Sequence, residues 1–195
     1  MKTQLLIAAA CMAFGVTTQA NTVTFTFQEN GPGNLGASST FTESGISITA
    51  TAQAGQTLYA KNAGGDETGL GLTAEADHEI DGSHFLQLTV PTSPATSLKL
   101  IFLGSVQPGE MANIYYSTVL GILGSPIGTV SGDGSFDISG VLPGYIGIQG
   151  GGTGGANVLL DSLVVTTGVP DSGSTLALLG VGLSCVGLLR RKLVA

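Results

Sequence analysis

The chain has 195 residues, only two cysteines, no tryptophan and a formal net charge of −7. Its acidic balance excludes polyphosphate partners, because no basic patch exists to release counterions from DNA or RNA. The length suits one domain of real core-burying size with short accessory segments at its ends.

Residues 1–20 read as a signal peptide. Lys2 supplies a positive start, Leu5 to Val16 an apolar stretch, and Thr18-Gln19-Ala20 the small residues that signal peptidase reads, so cleavage is expected after Ala20. Cys11 offers a competing lipoprotein-type site, but Ala8-Ala9-Ala10 would leave an apolar stretch of about six residues, short of the ~7 to 15 such signals use. Between this leader and the C-terminal tail lie residues 21–168. Twelve carboxylates there face two lysines, Lys61 and Lys99, for a formal net charge of −10. Cys11 and Cys185 both fall outside this region, so it can form no internal disulfide and must be held by packing or by a bound ion.

Period-two patterning dominates residues 21–168. Val23, Phe25 and Phe27 alternate with threonines, the mark of a strand with one face on a core. Gln28 to Ser44 reads as a loop by composition, and Ile46, Ile48 and Ala50 open a second strand. Thr57 to Lys61 is a third, followed by a long Gly-rich acidic loop from Asn62 to Gly82, a length that usually has a function. His84 to Val90 and Ser97 to Leu103 are strongly apolar, are separated by Pro91 and Pro94, and are expected to be central strands. Ala112 to Thr118, Ser135 to Ile138, Tyr145 to Gln149 and Asn157 to Thr166 bring the total to roughly nine strands joined by Gly-rich turns. The fold predicted is all-β: a single β-sandwich, jelly-roll-like, with no tandem repeat. Gly150 to Gly155 reads as a flexible turn, since it lacks the Lys-Ser/Thr of a phosphate loop and no helix pattern follows.

The densest chemistry lies in Asp66 to Asp81, where Asp66, Glu67, Glu75, Asp77, Glu79 and Asp81 crowd together. Asp77-x-Glu79-x-Asp81-Gly82 sets carboxylates at alternate positions before a glycine, like the opening of a calcium loop, and hard oxygen ligands suit Ca²⁺. The twelfth position is Leu88 instead of a bidentate Glu, so the stretch is not an EF-hand. Two readings stand: a calcium site using Asp77, Glu79 or Asp81 with loop carbonyls, or a solvated acidic edge. Asp161 sits among Val158, Leu159, Leu160, Leu163, Val164 and Val165, so in a regular strand it would need backbone or hydroxyl donors, or a cation, as partner.

Material for catalysis is thin. His78 and His84 are the only histidines, no Gly-x-Ser-x-Gly elbow occurs, and residues 21–168 have no thiol, so a secreted hydrolase is the minor alternative and no catalytic residue is assigned. A calcium-dependent carbohydrate-binding module is the main one. Its only tyrosine platforms are Tyr59, Tyr115, Tyr116 and Tyr145, and Tyr115 and Tyr116 point to opposite faces of their strand.

The tail, residues 169–195, opens with Val169, Pro170, Asp171, Ser172 and Gly173. An uncharged apolar run over 174–189 follows, then Arg190, Arg191 and Lys192. At about 1.5 Å per residue the run spans about 24 Å of a hydrocarbon core roughly 30 Å thick, a short transmembrane helix whose basic end favours the cytoplasm. These residues resemble the PEP-CTERM family of bacterial sorting tails in its VPDSG variant. The resemblance implies recognition by an exosortase-type membrane protease, then delivery to the cell surface or to extracellular polysaccharide. In residues 21–168, Leu58-Tyr59-Ala60-Lys61, Gly69-Leu70-Gly71-Leu72, Glu79-Ile80-Asp81 and Phe85-Leu86-Gln87-Leu88 resemble the exported β-sandwich domains that precede such tails, and Asn157 to Leu163 resembles their closing strand. The expectation is an exported, surface-sorted structural or binding protein.

Overall fold

The computed structural model describes residues 20–27, 31–65, 67–73, 77–89, 96–141, 143–153 and 157–168. The expected signal peptide up to residue 19, the pentad 169–173, the apolar run 174–189 and the basic residues 190–192 lie outside the described residues. Asn21–Thr167 forms one compact unit.

Thirteen strands build this unit, all of the described regular structure being β. They are β1 (Ala20–Thr26), β2 (Gly33–Gly36), β3 (Ser38–Glu43), β4 (Ile46–Ala52), β5 (Leu58–Asn62), β6 (Thr68–Leu72), β7 (Phe85–Thr89), β8 (Thr96–Gly104), β9 (Glu110–Ser117), β10 (Ser125–Ser131), β11 (Gly134–Asp137), β12 (Tyr145–Gly152) and β13 (Leu159–Gly168). One sheet runs β11-β8-β13-β6-β5-β2, with β1 also on β13, and the other runs β10-β9-β12-β7-β4-β3. Their inner faces supply a single core that includes Phe25, Phe27, Ile48, Leu70, Leu88, Ile101, Ile114, Ile148 and Leu163. Phe27, just after β1, meets Phe41 of β3 edge to face at 4.8 Å, tying one sheet to the other. Two antiparallel sheets therefore pack over one core, the arrangement a sandwich requires.

Strands with apolar alternation appear where the pattern puts them. β7 and β8 are both interior, as expected of the two most apolar runs, although in different sheets. The strands that composition hides are the polar and glycine-rich ones. Gln28 to Ser44, expected as a loop, holds β2 and β3. β3 is the outermost strand of its sheet, and the Thr40–Thr49 and Thr42–Ser47 hydroxyl pairs, each 2.9 Å apart, line its open face. β10 carries Pro126 and is likewise outermost, the one sheet position where a missing N–H is tolerated.

β6 corrects the expected loop from Asn62 to Gly82. Its five residues are all buried, and the leucines at alternate positions face the core while Gly69 and Gly71 face outward beneath other backbone. A Cβ on Gly71 would lie 2.0 Å from the His78 carbonyl oxygen, and one on Gly69 would lie 2.7 Å from that of Leu160. Gly71 marks where residues 77–81 lie flat on the sheet, whereas the backbone crowding Gly69 belongs to β13, the strand paired beside β6 in the same sheet. Gly71→Ala must therefore push backbone apart, and we expect it to cost roughly 1–3 kcal/mol or more. Gly82→Ala, whose Cβ would meet only the Gly150 carbonyl oxygen at 3.7 Å, should change stability little. Urea unfolding of the two variants checks the contrast.

Candidate functional site

Side chains on β5 alternate between the core, taken by Leu58 and Ala60, and the outer face of the sheet, taken by Tyr59 and Lys61. Opposite them on β6 stand Gly71 and Gly69, so this outer face has a shallow floor with no side chains on one half. Residues 77–81 lie across it. The segment is pinned by a β-bridge in which Ile80 and Val158 exchange backbone hydrogen bonds of 2.8 and 3.1 Å. His78 stacks on Tyr59 with ring centroids 3.9 Å apart, and Glu79, only 3 % exposed, turns down onto Lys61.

The result is a polar cluster, buried at Glu79 and Ser105 and open to solvent at Glu67. The Lys61 ammonium donates to Glu67, and to Glu79 Oε1 at 2.5 Å. Ser105 Oγ, just past β8, lies 3.0 Å from Glu67 Oε1 and 2.9 Å from Glu79 Oε1. His78 and Ser105, both beside the cluster, have left-handed backbone with φ of 59° each, a conformation costly for side chains with a Cβ and often found at sites the surrounding structure over-determines.

Electrostatics divide the two carboxyls. The hydrogen bond from Lys61 holds Glu67 below the ordinary carboxylate range against the effect of burial. Burial pushes Glu79 above that range, and its bonds from Lys61 and Ser105 only partly offset this. For Lys61 burial is the largest single influence and acts downward, yet the hydrogen bonds to both glutamates and their charges together carry it above the usual lysine value.

The expected cation ligands do not gather here. Among the described residues, no group of three or more His, Cys, Asp or Glu side chains could hold a metal ion. Asp77 is exposed, and Glu79 is engaged by Lys61 and Ser105. The Asp81 carboxylate accepts the Ser83 and His84 backbone N–H groups at 2.7 and 3.0 Å, with the His84 ring 3.5 Å away. Asp66 and Glu75 lie outside the described residues. Asp161 was expected to be cut off from water by apolar neighbours on both faces. Instead the β13–β8 register shifts between Leu160 and Ser162: Asp161 is the extra residue of a β-bulge, half-buried, with its Oδ2 accepting from the Ser162 hydroxyl at 3.2 Å.

The sequence singled out Glu79 beside Asp77 and Asp81, whereas the structure sets it against Lys61 and Ser105. The available signal was Tyr59-x-Lys61 on a half-buried strand. In a region with only two lysines, a lysine on such a face needs a carboxylate, and the next acidic stretch supplies two.

Two outcomes follow. Lys61→Met would remove the hydrogen bonds that Glu67 and the buried Glu79 receive, and should lower unfolding stability by about 1–3 kcal/mol by denaturant titration. Because an ammonium already neutralises Glu79 and backbone amides satisfy Asp81, melting curves recorded in calcium and in EDTA should coincide. A shift of several degrees in calcium would place a cation site in this loop after all.

The other functional element is the tail. Neither a curated protein nor a solved structure matches the chain. Residues 168–193 match the family model described as the VPDSG-CTERM motif, and this motif supports an exported protein that carries a C-terminal sorting signal of that type.

Proposed function

We propose that the chain is an exported envelope or matrix protein, processed at its C-terminus, whose all-β domain has a structural or binding role and no catalytic one. The observation that carries this reading is the match of residues 168–193 to the sorting motif. In this scheme signal peptidase cleaves after Ala20, and the first residues of β1 then form the new N-terminus. The run 174–189 spans the membrane as a helix with Arg190, Arg191 and Lys192 on the cytoplasmic side. An exosortase-type membrane protease recognises Val169 to Gly173 and releases the domain to the cell surface or to extracellular polysaccharide.

Several features of the domain support a non-catalytic role. His78 is engaged by Tyr59 and by the Thr73 carbonyl oxygen at 3.2 Å, and His84 lies against Asp81. All four tyrosines are partly buried, and the Tyr116 hydroxyl donates to the Pro143 carbonyl oxygen at 3.0 Å. A jelly-roll-like sandwich with a high negative charge suits a soluble surface module that repels its copies and anionic lipid alike.

The test is the mass of the mature protein. Surface-extracted protein should begin at Asn21 and lack everything beyond the pentad region. Recovery from that pool of peptides covering residues 190–195 would mean a plain membrane anchor and would end the sorting reading.

A further inference from the structure

We propose that Lys61 and Glu79 become joined by an intramolecular isopeptide bond, formed by the domain itself, with Glu67 and Ser105 carrying the proton. The site has the parts such a condensation needs. A primary amine lies 2.5 Å from Glu79 Oε1, within reach of the carboxyl carbon. A second carboxylate, Glu67, touches the same nitrogen through Oε2 and touches Ser105 through Oε1. Ser105 in turn reaches Glu79 Oε1. Nitrogen, Glu67, Ser105 and the leaving oxygen thus form a closed ring of hydrogen bonds.

Hydrogen counting is consistent with the same assignment. A serine hydroxyl has one hydrogen to donate, yet Ser105 Oγ lies at hydrogen-bond distance from two carboxyl oxygens. Those contacts are met either by one hydrogen shared between the two oxygens or by a proton on a carboxyl. With that proton on Glu79, the cluster is an ammonium, a carboxylate and a carboxylic acid, neutral as a whole and suited to a buried site.

The step balances without any added reagent. Lys61 Nζ gives a proton to Glu67 Oε2, and the free amine attacks Glu79 Cδ. The Nζ–Cδ bond forms and the Cδ–Oε1 bond breaks. Of the three ammonium hydrogens, one stays on the amide nitrogen. One passes through Glu67 and Ser105 to the departing oxygen, which leaves as water with the hydrogen that Glu79 already carried. The last remains on Glu67, whose side chain is 41 % exposed and can release it to solvent. Condensation in water is normally unfavourable. Holding amine and acid in contact raises their effective concentration to roughly 10⁵ M or more, and the buried Glu79 and Ser105 give water little access for the reverse step.

The bond would fasten residues 77–81 to β5 across the glycine floor of β6. It would give a cysteine-free exported domain the covalent staple that others obtain from disulfides.

Trypsin digestion of the full chain, recovered from cells and denatured, reads the result directly, because Lys61 and Lys99 are the only cleavage sites between residues 21 and 168. A linked Lys61 resists trypsin. The expected product ends at Lys99, still contains Lys61, is lighter than its sequence by one water, and fragments as a branch between Lys61 and Glu79. Lys61→Arg should restore the full mass. Glu67→Gln, which keeps amine and acid but removes the base, should fold yet stay unlinked. A linear peptide of residues 62–99 at full mass from the wild-type chain overturns the proposal. So does a water loss from residues up to Lys99 that persists in Lys61→Arg, as a succinimide at Asp81-Gly82 would give. Full linkage in Glu67→Gln removes Glu67 from the mechanism.

Discussion

The close approach of residues 77–81 to the outer face of β5 and β6 is the constraint on which the site depends. Backbone can lie on a sheet only where the sheet offers no side chains, and Gly69 and Gly71 supply that floor beside Tyr59 and Lys61. Once the segment is down, Ile80 pairs with Val158, His78 covers Tyr59, and Glu79 is driven into a space where an unpaired charge could not persist. Lys61 answers that need. The same contact therefore sets local packing, the separation of the two glutamates' proton affinities, and the proximity of amine to acid.

Stability without disulfides is the second theme. Residues 21–168 carry a formal charge of −10 and no cysteine, so self-repulsion opposes the compact state while apolar burial has to hold it. The core answers with a layer drawn from both sheets and with the Phe27–Phe41 contact between them. Gln56 Oε1 is buried without a hydrogen-bond partner, but Gln87 is fully engaged. Gln87, 1 % exposed on β7, receives the Gly121 N–H at 2.6 Å and donates to the Ile122 carbonyl oxygen at 2.8 Å, which fixes the loop between β9 and β10.

The chain divides labour between short address segments and a large domain. The sorting motif is a short linear stretch, matched over 26 residues. The domain is free to vary so long as its two sheets close over one core. A fold of this kind does not imply a function, and the features that distinguish this one are local: a glycine floor, a half-buried lysine and a bulged aspartate.

Sequence by itself determined the all-β class, the apolar strands β1, β4, β7, β8, β12 and β13, and the sorting motif, because each rests on short-range information such as alternation or a contiguous pentad. It concealed β2, β3, β6 and β10. Their residues are polar, prolyl or glycyl, and those types form strands only when a neighbouring strand or an overlying segment makes it favourable. Tertiary structure alone decided what the acidic residues do. Glu67 and Glu79 meet Lys61, and Ser105 meets both glutamates from a third part of the chain, while a one-residue bulge turns Asp161 out of its apolar strand. Spacing along a chain records which carboxylates are near in sequence, whereas the partner of a buried charge is set by which segment the fold lays upon it.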